Sequence, residues 1–381
     1  MEETQGVPER GLLPRRLARL LPVEDADFWR LWVVGLIVFL VRWIEMLAMG
    51  VFVYRETGSA LLVSVATMMR LLPMAMFGVV MGEVADRIER RVALVGVVAT
   101  LLLTSGTIAL LAHFGALAIW HLVLASFING VAWATDNPVR RIMIGDAVGP
   151  ARVGVAMAID IGTNNASRMF GPMFGGLLLA RFGIEGTFCQ SVVLYALAIA
   201  VALRLRYRNA MRAGTAEPLR RRIAEGVRIV RRDGKLVGTL VITVIFNVFG
   251  WPFTSMIPVI GQDHLLLGPR GIGLLASMDG LGALCGAVAI AVFARSAQYP
   301  RIFIGGTMLY MCLLPAFAAM SQPALSAGML LLTGMASACF SIMQSTLIYL
   351  FAASEARSRV FGVLSVCIGL GPIGFVHLGL L

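Results

Sequence analysis

Apolar runs long enough to cross a membrane recur along almost the whole chain, with most charged residues between them. A hydrocarbon core about 30 Å thick requires roughly 20 apolar residues per helix. Charged residues make up only 14% of the chain, against about a quarter in soluble domains. The sequence therefore predicts an all-α polytopic membrane protein. The predicted spans lie near residues 29–54, 59–81, 92–113, 117–137, 153–180, 184–205, 236–261, 271–294, 301–320, 324–349 and 360–381.

The spans fall into two groups separated by a basic linker. We predict a cytoplasmic segment at 1–28, a six-helix bundle at 29–205, a linker at 206–235 and a second bundle of about five helices at 236–381. A short surface helix is expected near 12–21, because leucines alternate there with arginines. Two parallel six-helix repeats would leave the twelfth helix missing. The sequence favours truncation over a natural end after eleven spans.

The linker carries one apolar stripe surrounded by arginines, which predicts an amphipathic helix in the plane of the membrane. The stripe residues are Leu219, Ile223, Val227 and Val230.

Basic residues are distributed very unevenly between the two sides of the predicted membrane. With loops assigned alternately, 26 of the 32 basic residues lie on the side of the N-terminus. Three lie within spans, and only Arg55, Arg181 and Arg270 lie on the other side. Cytoplasmic loops carry an excess of Lys and Arg. We therefore expect a cytoplasmic N-terminus and location in the cell's inner (plasma) membrane.

The stretch between the second and third spans is short and highly charged. Residues 82–91 read Gly-Glu-Val-Ala-Asp-Arg-Ile-Glu-Arg-Arg. This resembles the G-x-x-x-D-R-x-x-R-R signature of the major facilitator superfamily, with Glu89 where a glycine is common. The resemblance implies a fold of two parallel six-helix bundles and a cytoplasmic latch between them. The latch residues are Gly82, Asp86, Arg87, Arg90 and Arg91.

Further motifs resemble the enterobactin-exporter and macrolide-efflux branch of that superfamily. Residues 137–140 resemble its P-A-R motif, with Val139 in place of alanine, and residues 357–362 resemble its R-G-R-V-x-G. Residues 165–176 resemble its fifth-helix N-x-x-R-x-x-G-P-x-x-G-G. In antiporters of the family this motif lies at the seam that opens and closes, although it also suits an ordinary tight helix crossing. Its residues here are Gly171, Pro172, Gly175 and Gly176.

Charged residues inside predicted spans are costly, about 2.5–3.5 kcal/mol each at a helix centre, and are therefore candidates for function. Arg42 and Glu45 are three residues apart in the first span, so they can neutralise each other. Alternatively, Glu45 carries a proton between the two sides.

Four more residues complete the set of cavity candidates. Asp160 and Arg168 lie two helical turns apart in the fifth span. Asp279 has no basic neighbour within a turn, so we expect it to face a cavity or to pair with Arg70 or Arg42. The family resemblance places Arg70 in a packed corner.

The sequence lacks the motifs that are typical of several other protein classes. The four histidines are scattered without an H-x-x-x-H pattern, and no phosphate-binding loop is present. The five cysteines show no paired spacing. We therefore predict no enzyme, no metal, no cofactor and no nucleic-acid partner, although the net charge is +11.

The family resemblance implies a monomeric secondary transporter that exports small lipophilic molecules of drug, macrolide or siderophore type in exchange for protons or another ion. Two alternatives remain open at this point. One is a non-transporting remnant of a truncated gene, and the other is a lysolipid flippase of the same fold.

Overall fold

The computed structural model describes residues 25–87, 89–149, 152–206, 219–353 and 356–380. Side chains are described in these ranges except at 75, 77–87, 219–223 and 358. Every regular element in them is helical, which confirms the all-α prediction. The helix predicted near 12–21 lies outside the described residues.

Eleven helices in the described part of the chain run between two faces of the molecule. The first half contains α1 (Ala26–Thr57), α2 (Ala60–Arg87), α3 (Arg90–His113), α4 (Ile119–Val148), and the run Val153–Ala202, which comprises α5 and α6. The second half contains α7 (Gly234–Asp263), α8 (Pro269–Phe293), α9 (Tyr299–Ala318), α10 (Pro323–Phe351), and α11, formed by Arg357–Ile368 and Gly371–Leu380. Counting Val153–Ala202 as one, eight stretches of the described chain are long and apolar enough to span a membrane.

Gly183 separates α5 from α6 at the predicted position. Its φ of 68° and ψ of −169° interrupt the helical backbone. This left-handed φ favours glycine, because a Cβ would be strained there. The chain therefore reverses direction at one residue.

The helix ends define two faces, which we call the linker face and the opposite face. The start of α1, the α4–α5 turn and the end of α6 meet at the linker face. Arg152 lies 2.9 Å from the Asp25 carboxylate, and the backbone N–H of Arg206 donates to Asp27 at 3.3 Å. The opposite face carries the turns at 58–59, 114–118, 183, 264–268 and 319–322.

Two predicted helix ends are wrong. The α4 helix does not close at Pro138 but continues through it to Val148. Proline is tolerated inside membrane helices where neighbouring groups compensate the lost hydrogen bond, and Arg140 beyond it is held by buried carboxylates. The charged stretch 82–91 is also mostly helical, since α2 ends at Arg87 and α3 begins at Arg90.

Glycines on α5 set its contacts with two different helices. A Cβ at Gly175 would lie 2.9 Å from the Ile44 carbonyl oxygen of α1, within the first half. A Cβ at Gly176 would overlap the Pro269 carbonyl and lie 2.9 Å from the Gly273 Cα of α8, in the second half. The predicted close contact between halves therefore involves Gly176, whereas Gly171 and Gly175 pack against α1. The α2 and α11 helices form another contact between the halves.

The linker helix, Leu219–Val230, packs against α11. Val227 and Val230 join a cluster that includes Val360 and Leu364. Its buried side therefore contacts protein, where the sequence predicted a helix lying in the membrane plane. Residues 207–218 of the predicted linker lie outside the described residues.

Candidate functional site

A cavity of about 420 Å³ lies between the two halves. Its walls are mainly apolar and aromatic, including Trp133, Phe246, Trp251 and Phe340. Arg168 is the only charged residue among the described residues that line it. The cavity can therefore accept a small, largely apolar molecule.

The halves are in direct contact on the opposite-face side of this cavity. The Tyr54 hydroxyl donates to the Asp263 carboxylate, which joins the end of α1 to the end of α7. The hydroxyl oxygens of Ser64 and Ser255 are 3.1 Å apart and join α2 to α7. A Cβ at Gly379 of α11 would lie 3.0 Å from the Ser64 hydroxyl. The space between the halves is thus on the linker side, and the other end is closed.

An ion pair between the halves lies at the inner end of the cavity. The Arg168 guanidinium of α5 donates to the Asp279 carboxylate of α8 at 2.5 Å. The guanidinium also lies 5.8 Å from the ring centre of Trp43 and 5.3 Å from that of Trp251. Arg168 and Asp279 line a second space of about 40 Å³ beyond the cavity. The pair therefore stands between the cavity and the closed end.

Glu45 is completely buried inside the first half. Its carboxylate accepts hydrogen bonds from Ser105 at 2.6 Å and from Asn129 at 3.3 Å, and it lies 3.7 Å from the Arg70 guanidinium. Arg70 in turn donates to the backbone carbonyl of Arg42 at 2.9 Å. The predicted ion pair between Arg42 and Glu45 is wrong, because Glu45 pairs with α2.

A second buried group of charges extends from Arg42 toward the linker face. Arg42 lies 3.9 Å from the Asp136 carboxylate of α4, and Asp136 lies 3.4 Å from Arg140. Arg140 also pairs with Asp160 of α5. Asp160 therefore pairs with α4 and not with Arg168.

Together these six side chains form a buried charge network with three arginines and three carboxylates. The network members are Arg42, Glu45, Arg70, Asp136, Arg140 and Asp160. Its formal charge is balanced when all six are ionised. Removing one charge would leave an uncompensated ion in the protein interior, which is strongly unfavourable.

As expected, Asp279 lines a space and finds a partner on another helix, but that partner is Arg168 and not Arg70 or Arg42. Arg70 does lie in a packed corner, with a relative exposure of 3%.

Sequence reasoning missed Asp136 and Arg140 as candidate charges. A signal was available, since an acid and an arginine four residues apart can pair on one helix. The early end assigned to α4 at Pro138 concealed it.

The latch residues are only partly described. Gly82, Asp86 and Arg87 belong to the last turns of α2, whose side chains lie outside the described residues. Arg90 lies 2.9 Å from Asp146 of α4, and Arg91 donates to the backbone carbonyl of Leu203 at 2.6 Å. These two arginines join α3 to α4 and α6 within the first half.

Eleven apolar helices arranged in two halves around a buried cavity define a multi-pass membrane transporter. The chain belongs to the Major Facilitator Superfamily, whose family model matches residues 31–375.

Similar proteins of known role are transporters. Macrolide efflux protein A of Streptococcus pyogenes is 20% identical over 270 residues, which are 70% of this chain and 67% of that protein. The Staphyloferrin A transporter of Staphylococcus aureus is 20% identical over 265 residues, 69% of this chain and 66% of that protein.

Solved structures share the fold at low identity. A bacterial homolog of the human lysosomal transporter Spinster, in an inward-facing and unoccupied conformation, has a TM-score of 0.71 and 16% identity, covering 93% of this chain and 81% of that chain. The nucleoside transporter NupG has a TM-score of 0.71 and 11% identity, covering 93% and 90%. The predicted superfamily and fold are therefore confirmed.

Proposed function

We propose that this protein is a secondary active transporter that exports small lipophilic molecules in exchange for protons. The supporting observation is the asymmetry between the halves. They enclose a cavity on the linker side, touch each other on the opposite side, and are joined by the Arg168–Asp279 pair between these regions. Alternating access requires one state that is open on the linker side and a second state that is open on the opposite side.

The linker face would be cytoplasmic. The strong bias of basic residues toward that side supports this orientation. The described structure then represents the state that is open to the cytoplasm and able to load a substrate for export. The inner (plasma) membrane is the corresponding location. We propose a monomer with a six-helix half at 29–205 and a half of about five helices at 236–381.

The apolar lining supports a lipophilic substrate. Leu71, Met74, Phe246 and Phe340 line the cavity, and methionine and aromatic side chains suit ligands of varied shape. The macrolide efflux relative is consistent with this class of cargo.

Glu45 would be the proton carrier. It is balanced by Arg70 alone among the cations of the buried network, and uncharged donors that include Ser105 and Asn129 supply its hydrogen bonds. Protonating Glu45 would leave Arg70 buried without a counter-charge. This would favour a state in which water reaches Arg70, so that proton binding biases the conformational change. One proton crossing 100 mV supplies about 2.3 kcal/mol.

Export from cells tests the proposed function. Cells lacking their own pumps would express the protein and be loaded with a panel of dyes, macrolides and siderophores. We expect lower accumulation of at least one lipophilic compound, and loss of this effect when an ionophore collapses the proton gradient. No change for any compound would contradict the proposal.

Two tryptophan variants of α10 test whether the cavity is the pathway. Ser341 lines the cavity, so Ser341→Trp should block export by filling it. Leu332 is on the same helix, is 44% exposed and is not part of the cavity lining. Leu332→Trp should therefore leave export intact. Equal export by both variants would place the pathway elsewhere.

A further inference from the structure

The wall that the second half contributes to the cavity carries several uncharged polar side chains. They come from α7, α10 and α11. These residues are Asn247, Ser337, Ser341, Gln344 and Ser365. Their hydrogen bonds determine what this wall can offer to a ligand.

Thr243, one turn before Asn247 on α7, fixes the orientation of both amide side chains. Its hydroxyl donates to the Thr239 carbonyl at 2.8 Å, which uses its single hydrogen. The Gln344 Nε2 is 2.9 Å from that hydroxyl oxygen, so it must be the donor. The Asn247 Nδ2 donates to the Thr243 backbone carbonyl at 2.9 Å. A carbonyl can only accept, so the Asn247 amide cannot be turned around without losing its bond. Turning the Gln344 amide around would cost the bond from the Thr243 hydroxyl to the Thr239 carbonyl.

Both amide oxygens therefore remain available to the cavity. Neither Asn247 Oδ1 nor Gln344 Oε1 is among the enclosed side-chain atoms that lack a partner, and no hydrogen bond to either is present among the described residues. Each amide has its NH₂ group directed at Thr243 and its oxygen open to a ligand.

The serines of the same wall also donate their hydroxyl hydrogens to the protein, as the two amides donate their N–H groups. Ser337 donates to the Gly334 carbonyl at 2.9 Å, and Ser365 donates to the Phe361 carbonyl at 3.1 Å. Ser341 donates to its own helix at 3.4 Å. Hydroxyl groups can rotate, so the two amides carry the argument and the serines reinforce it.

We propose that Asn247 and Gln344 form an acceptor pair that selects lipophilic substrates carrying hydroxyl or N–H donors, with Thr243 as the positioning residue. This rests on the proposed function, in which the cavity is the transport site. A ligand without donors would remove water from both oxygens and leave them unpaired. A buried site built to hydrogen-bond a ligand discriminates strongly for this reason.

A matched pair of fluorescent probes tests the proposal. One is the dansyl amide of N-methylethanolamine, whose only donor is its hydroxyl, and the other is its O-methyl ether, which has no donor. Binding to the purified full chain in lipid nanodiscs would be measured by dansyl fluorescence. We expect the hydroxyl probe to bind about 3- to 10-fold more tightly.

Variants separate the acceptor pair from general effects. Gln344→Met removes one acceptor at similar volume, and Thr243→Val releases the Gln344 amide without changing the cavity lining. Both should reduce the preference to the part that Asn247 supports alone, because its bond to the Thr243 backbone carbonyl remains. Gln344→Glu keeps an oxygen acceptor and should retain the preference. Thr239→Val is the control, since its side-chain hydroxyl bonds to Lys235 and contacts neither amide.

Equal binding of the two probes by the parent protein, or no binding of the hydroxyl probe, would overturn the proposal. So would a preference that is undiminished in both Gln344→Met and Thr243→Val. The measurement needs neither a gradient nor transport. A donor preference without transport would therefore refute the proposed function alone, and transport without the preference would refute the acceptor pair alone.

Discussion

The Arg168–Asp279 pair gives the most direct prediction about the conformational equilibrium. Asp279→Asn keeps the shape of the side chain but removes the charge that lies 2.5 Å from the guanidinium. Breaking a buried pair from one side costs about 3–5 kcal/mol. Arg168 lines the cavity and its side chain is 13% exposed, so water can offset part of this cost. We expect the described state to lose about 1–3 kcal/mol, a shift of roughly 5- to 150-fold toward states in which Arg168 is hydrated.

Cysteine labelling from the opposite face reports this shift. Ser255 is buried where the halves touch on that side, so Ser255→Cys in a background without the native cysteines should react slowly with a membrane-impermeant maleimide. Adding Asp279→Asn should accelerate labelling at least 5-fold.

A double variant supplies the control. Arg168→Gln with Asp279→Asn removes both charges and leaves no unpaired ion, so its labelling rate should lie closer to that of the parent. Identical rates for Asp279→Asn and the parent would refute the role assigned to the pair. A double variant faster than the single variant would do the same.

Three further predictions concern packing, the latch and topology. Gly176→Val should destabilise the protein by about 1–3 kcal/mol through overpacking against backbone atoms, and so lower its thermal unfolding temperature in detergent. Gly162→Val on the same helix meets open space and should change that temperature little. Equal effects of the two variants would contradict the packing described for Gly176. Asp86→Asn should reduce export about 10-fold at normal membrane levels if its charge stabilises a helix N-terminus, and unchanged export would make the latch a topological anchor only. Arg228→Cys in the linker helix should be protected from an impermeant reagent in intact cells, while Leu266→Cys on the opposite face reacts; the reverse pattern would invert the proposed orientation.

The number and order of spans could be predicted because they depend on composition over some 20 residues. Apolar length marks a helix that must satisfy its own backbone hydrogen bonds in lipid, and Gly183 fell within the predicted turn. Helix ends were harder to place. Pro138 is a strong stop signal in water, but Arg140 beyond it finds buried partners that no local rule contains.

Ion-pair partners could not be predicted from the sequence. Spacing placed Arg42 beside Glu45, but spacing specifies only neighbours on one helix. Asp279 pairs with Arg168 where Gly280 lets α8 approach the backbone of α5 closely. Glu45 pairs with Arg70 of a neighbouring helix. The register of those crossings is a tertiary property.

The central claim is proton-coupled alternating access with Glu45 as the carrier, and transport in proteoliposomes tests it. The protein would be reconstituted with radiolabelled erythromycin, or with the best compound from the export panel, and an imposed pH gradient would supply the driving force. The parent should accumulate the compound against its gradient. Glu45→Gln should abolish accumulation while retaining downhill exchange, and Glu56→Gln at the exposed end of the same helix should behave as the parent. Undiminished uphill transport by Glu45→Gln would contradict the account.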